Sequence, residues 1–110
     1  MSANMITKGE NLGERLAKAG VSTSQIRKFL SAVNSIQNKI SANEEKFDLN
    51  EVKYLRVKLA YQAGRVKEFK PFYNEFNQEI ELIKTVQEFK EFAHFIEAVV
   101  AYHKFNEGKD

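Results

Sequence analysis

Three segments of this chain carry the same helix-start signature, and they constrain the fold more than any other feature. Ser22-Thr23-Ser24-Gln25, Asp48-Leu49-Asn50-Glu51 and Thr85-Val86-Gln87-Glu88 each place a short polar side chain three residues before an acid or amide. The first side chain accepts from the exposed amides of the opening turn, and the fourth reaches back to the cap. Lys70-Pro71 marks a further start, because proline suits the first helical position, where its missing N–H costs nothing. One proline and five glycines in 110 residues leave few breaks between these starts.

Apolar residues recur at helical spacing between the starts. Ile26, Phe29, Leu30, Val33, Ile36 and Ile40 form one stripe. Val52, Leu55, Leu59, Ala63 and Val66 form the next, followed by Phe72, Phe76, Ile80 and Ile83. The last stripe comprises Phe89, Phe92, Ala93, Ile96, Val99, Val100 and His103, and Phe95 and Tyr102 widen it to about half the circumference. Such a helix is expected to be central, or to keep an apolar flank for a partner. A short leading helix around Leu12, Leu16 and Ala17 should end at Gly20. The expectation is a compact all-α bundle of about five helices with short connections, in a single domain over 1–110. The polar residues 1–10 are expected to form a flexible tail.

Several function classes fall away on composition. No cysteine is present, so disulfides and thiolate metal sites are excluded, and the chain fits a reducing compartment. Met1 to Glu10 has no hydrophobic stretch of the signal-peptide kind, and no window reaches the roughly 20 apolar residues of a membrane span. A cytoplasmic protein with no membrane partner is the expectation. The two histidines, His94 and His103, lie nine residues apart on nearly opposite sides of the last helix, poorly placed for a shared metal or proton relay. His103 falls on the apolar stripe, and reads as a core histidine bonded to a carbonyl or carboxylate. A ribonuclease using His103 as acid or base is the sharper alternative. The pairs Glu79/Glu81 and Glu88/Glu91 read as solvated faces. Isolated glycines provide no phosphate cradle. No catalytic residue, metal ligand or cofactor is expected.

Charge is distributed unevenly. Ser22 to Lys67 carries nine Lys/Arg against four Asp/Glu, and Glu68 to Asp110 carries five against nine. The basic half concentrates at Lys53 to Lys67. On a helical wheel Tyr54, Lys58, Tyr61 and Arg65 fall at i, i+4, i+7 and i+11, with Lys53, Arg56 and Lys67 on the other flank of the aliphatic face. Cations in such rows match a phosphate backbone, and tyrosines stack on bases or bond to phosphates. Arg27 and Lys28 would extend the patch. The competing reading has Tyr54 and Tyr61 at the edge of the core with Lys58 and Arg65 snorkelling around them.

Three stretches resemble the small all-helical subunit of type III-A CRISPR effector complexes, the Csm small-subunit family. They are Thr23-Ser24-Gln25-Ile26-Arg27-Lys28-Phe29, Lys58-Leu59-Ala60-Tyr61-Gln62-Ala63-Gly64-Arg65, and Phe95-Ile96-Glu97-Ala98-Val99-Val100-Ala101-Tyr102-His103-Lys104-Phe105. The resemblance runs from about Val21 to the C-terminus. It implies a non-catalytic subunit that stacks head to tail beside the guide RNA and helps hold the target RNA, while base pairing reads sequence. The implied partners are guide and target RNA, the other subunits of the complex and neighbouring copies of the chain. The family's basic motif falls on Lys58 and Arg65, with Arg56 just before it, and the arginine after Ser-Gln falls on Arg27. The chain departs from the family pattern at Val57, where a proline is common, which implies a straighter helix. It departs again at Asn106-Glu107-Gly108-Lys109-Asp110, where relatives carry more aromatic and glycine residues. A protein–protein adapter without direct RNA contact is the alternative, its basic half meeting acidic subunit surfaces. An exposed apolar flank on the last helix would drive a homodimer of the isolated chain, including one by segment exchange.

Overall fold

The structure, a computed structural model, describes residues 3–107. Its helices are α1 (Ala3–Lys18), α2 (Thr23–Ala42), α3 (Leu49–Lys53), α4 (Leu55–Arg65), α5 (Tyr73–Glu81) and α6 (Val86–Glu107), with 3₁₀ turns at Glu44–Lys46 and Lys70–Phe72. No strand occurs among the described residues. Because α3 and α4 meet at Tyr54, the chain forms five rods running alternately up and down. Polar contacts mark these directions: the Gln62 side chain donates to the Gln25 carbonyl, Lys39 meets Glu51, Arg15 meets Glu75, Lys8 meets Glu79, and Lys90 meets Glu44.

Local chemistry fixes most helix ends. Ser22 closes a full capping box with Gln25, and Thr85 does so with Glu88. Asp48 accepts from the Asn50 amide, but its expected partner Glu51 instead binds Lys39 at 2.6 Å. Lys70-Pro71 opens a 3₁₀ turn that runs on into α5. α1 ends as expected at Gly20, whose φ of +87° suits glycine alone. The Gly20 amide bonds to Ala17 O and the Val21 amide to Leu16 O, a Schellman closure that buries Leu16 and Val21 together.

The wide stripe of α6 is central. Phe89, Phe92, Ala93, Phe95, Ile96, Val99, Val100 and His103 are all buried, and Tyr102 is half-buried. Rings of Phe29, Phe69, Phe76, Phe92 and Phe95 touch in an unbroken chain with centroids 5.5–6.5 Å apart, geometry that adds to their area burial.

Helix begins at Ala3, inside the stretch 1–10 that the sequence suggested as a tail, and of that stretch Met1 and Ser2 lie outside the described residues. Gly9 and Gly13 stand one turn apart on the face of α1 that meets α6. A Cβ at Gly9 would come within 2.6 Å of Ala98 Cβ, and one at Gly13 within 2.6 Å of Val99 O and 2.8 Å of His103 N. Two hydrogens in place of two methyl groups let the backbones of α1 and α6 run side by side.

Val57 lies inside α4, three residues past the junction with α3. Tyr54 separates α3 from α4 with φ −66° and ψ −17°, and its carbonyl accepts from both Val57 N and Lys58 N. This tightened turn forms without proline. Gly64, by contrast, is exposed, with no atom within 4 Å of an added Cβ. Gly64→Ala is therefore expected to stabilise the protein by about 0.5–1 kcal/mol through helix propensity and a less flexible unfolded chain. Thermal denaturation checks this, and a fall in Tm would show that Gly64 has a role the packing does not reveal.

Candidate nucleic-acid interface

α4 is anchored by Leu55, Leu59 and Ala63, all buried. That anchorage turns Tyr54, Lys58, Tyr61 and Arg65 outward as one row, with Tyr54 57% and Tyr61 65% exposed. The tyrosines are therefore not edge residues tucked under snorkelling cations. The Arg65 guanidinium lies over the Tyr61 ring at 5.6 Å, which covers one ring face and holds the cation at the surface. Tyr54 has no ring contact and no side-chain hydrogen bond among the described residues.

The other flank of α4 has a different task. Lys53 Nζ donates to Ile80 O at 2.9 Å and Glu81 O at 3.0 Å, closing the C-terminus of α5. Burial lowers the pKa of Lys53, Arg56 and Lys84 lower it further, and Glu81 and Glu88 partly offset this. Arg56 Nε donates to Asn77 Oδ1 at 2.7 Å, and its NH2 lies 3.3 Å from Glu81 Oε1. Lys67 is exposed but lies past the end of α4, since Val66 turns to extended backbone. It is thus off the helical flank on which the sequence placed it.

The antiparallel pairing of α2 with α4 sorts the two cations of α2. Ala32 and Ser35 face a groove shared with Tyr54 and Lys58. Lys28 stands one turn before Ala32 on that same line, whereas Arg27 lies about 100° round the helix from Lys28, at about 100° per residue. Both are exposed. Helical phase thus puts Lys28 on the line of α2 that faces the groove and Arg27 off that line.

Six cations are neutralised within the fold among the described residues. Lys8, Arg15, Lys18, Lys39, Arg56 and Lys90 each pair with a carboxylate. The Arg15–Glu75 pair is bidentate, at 2.6 and 2.7 Å, which lowers the Glu75 pKa and raises that of Arg15. Arg27, Lys28, Lys46, Lys58, Arg65, Lys67, Lys70 and Lys84 have no carboxylate partner among the described residues, and of these Lys58 and Arg65 share one helix face with Tyr54 and Tyr61. The acidic half is largely spoken for: Glu75, Glu79 and Glu81 bind cations, and Glu88 caps α6 with its pKa lowered chiefly by the Lys84 amide.

His103 is fully buried, as expected of a core histidine. Its Nε2 bonds to the Val21 carbonyl and lies 3.6 Å from Glu107 Oε2, while Nδ1 meets Thr23 Oγ1 at 3.3 Å. Thr23 in turn donates to Glu107 Oε1 at 3.0 Å. These bonds tie the end of α6 to the α1–α2 turn. Among the described residues no group of three or more His, Asp or Glu is placed to hold a metal ion, and no helix is long and apolar enough to cross a membrane.

Relatives place this architecture in a family. The family described as Csm2 Type III-A matches residues 1–109. The chain is 42% identical over 95 residues to the CRISPR system Cms protein Csm2 of Streptococcus thermophilus, covering 82% of this chain and 76% of that protein. It is 30% identical over 95 residues to the protein of the same name from Enterococcus italicus, covering 78% and 68% respectively. With its helical fold and a family match across almost its whole length, the chain belongs to the Csm2 family of type III-A CRISPR systems.

Proposed function

We propose that this chain is the non-catalytic small subunit of a cytoplasmic type III-A effector complex, and that it holds RNA along the row Tyr54, Lys58, Tyr61 and Arg65. Copies stack head to tail beside the other subunits, and the row follows the guide and target RNA. The observation that carries this reading is the contrast in cation use. Lys58 and Arg65 stand exposed and unneutralised beside two exposed tyrosines on one helix face, whereas Lys8, Arg15, Lys18, Lys39, Arg56 and Lys90 are each paired with a carboxylate. Phosphate oxygens satisfy such cations, and release of condensed counterions drives the binding. Lys28 borders the row. Lys53 and Arg56 brace it from behind, while Arg27 and Lys67 add charge at a distance.

In an assembled complex carrying guide and target RNA, ultraviolet crosslinking is expected to yield RNA adducts on Tyr54 or Tyr61. Adducts confined to other residues of this subunit, or none on it, would leave the row without RNA and favour a protein surface as its partner.

A further inference from the structure

Beside the row lies a groove of about 360 Å³ between α2 and the α3–α4 junction at Tyr54. Its floor is apolar: Ile36 and Leu55 are buried and Ala32 is half-buried. Its rim is polar and aromatic, formed by Ser35, Asn50, Tyr54 and Lys58. The Ser35 hydroxyl and the Asn50 side-chain amide have no partner among the described residues. Glu51 also reaches the groove, but Lys39 binds it at 2.6 Å and cancels its charge.

We infer that this groove seats one unpaired nucleobase of the bound strand, with Tyr54 as its stacking face and Lys58 holding the adjoining phosphate. The inference rests on the RNA row proposed above and assigns it a chemistry beyond phosphate contact. An apolar floor gives a phosphate backbone nothing to bind, whereas a flat base buries a face against it. Asn50 offers both a donor and an acceptor, and Ser35 a hydroxyl, of the kind that bonds a base edge. In an A-form duplex the bases are stacked on one another, so only an unpaired nucleotide can enter. The two tyrosines are unequal in this respect. Arg65 occupies a face of Tyr61, while the Tyr54 ring stands free at the mouth of the groove. The volume lies at the small end of ligand sites, which run from roughly 300 to 1,000 Å³.

The test uses the full chain with two single-stranded probes: a 12-nucleotide oligouridylate, and a strand of equal length whose central residues are abasic. Binding is read by fluorescence anisotropy at low salt for wild type, Tyr54→Ala, Ser35→Phe, and the pair Lys58→Glu with Arg65→Glu. Ser35 is exposed, so its replacement by phenylalanine fills the groove without entering the core, and circular dichroism verifies the helix content of each variant. Wild type should prefer the oligouridylate about tenfold, the contribution of one stacked base. Tyr54→Ala and Ser35→Phe should each abolish that preference. Equal wild-type affinity for the two probes, or a preference that survives both substitutions, overturns the base site. If the charge reversal still weakens both probes in that case, the RNA row stands without the groove. If the charge reversal changes neither, the row itself fails and the groove with it.

Discussion

Gly13→Ala is expected to destabilise this protein by about 2–3 kcal/mol and lower its Tm by roughly 10 °C or more. Propensity alone argues the other way, since alanine in a helix interior is favoured over glycine by about 1 kcal/mol. Packing decides the sign. The new Cβ would meet two backbone atoms of α6, Val99 O at 2.6 Å and His103 N at 2.8 Å, and backbone held inside a helix cannot step aside as a flexible side-chain tip can. Relief requires α1 to move off α6, which uncovers Leu12 and Leu16, both essentially buried. It also pulls on the Val21 carbonyl that His103 binds. Gly9→Ala should act in the same direction, because Ala98 Cβ stands at 2.6 Å and Phe95 O at 3.1 Å. Chemical denaturation of the two variants beside Gly64→Ala separates packing from propensity. An unchanged or raised stability for Gly13→Ala would mean that α1 and α6 do not lie in this close register.

The second large effect is on RNA. Replacing Lys58 and Arg65 together by Glu should reduce target-RNA retention by the assembled complex about 10- to 100-fold, since two phosphate partners become repulsive. Helix content should not change, because both side chains are exposed and neither has a carboxylate to lose. The Arg65–Tyr61 contact is the one interaction sacrificed, and at an exposed site it contributes about 0.5–1 kcal/mol. Retention of target RNA at the wild-type level would move the binding surface elsewhere. Loss of helix content would show that the row is part of the scaffold.

Much of this was legible in the sequence because it is local. The Ser22 and Thr85 capping boxes, the Gly20 stop and the apolar stripes depend on residues a few positions apart, and each appears where the pattern put it. The outward row on α4 was legible for the same reason: a helix with Leu55, Leu59 and Ala63 inside must present Tyr54, Lys58, Tyr61 and Arg65 outside. What could not be read depended on a distant partner. The helix around Leu12 and Leu16 was legible, but its extension back to Ala3 was not, because the close approach of Gly9 and Gly13 to α6 is a contact with a distant partner. Lys53 and Arg56 carry the same charge as Lys58, and only the position of α5 shows that they close its C-terminus and bind Asn77 and Glu81. Arg27 and Lys28 are neighbours in sequence, and only the α2–α4 pairing separates them. The break at Tyr54 has no proline or glycine to announce it.

The central claim is that Lys58 and Arg65 bind phosphates, and salt reports on that directly. For a single strand, log affinity falls with log salt by about 0.7 per phosphate neutralised. The isolated protein should bind oligouridylate weakly, with little sequence preference and a steep salt dependence. With Lys58→Gln and Arg65→Gln together, the slope should become shallower by about 1.4, two contacts' worth at about 0.7 each. A slope identical to that of wild type would contradict the account, because cations that neutralise phosphates cannot be removed without releasing fewer ions.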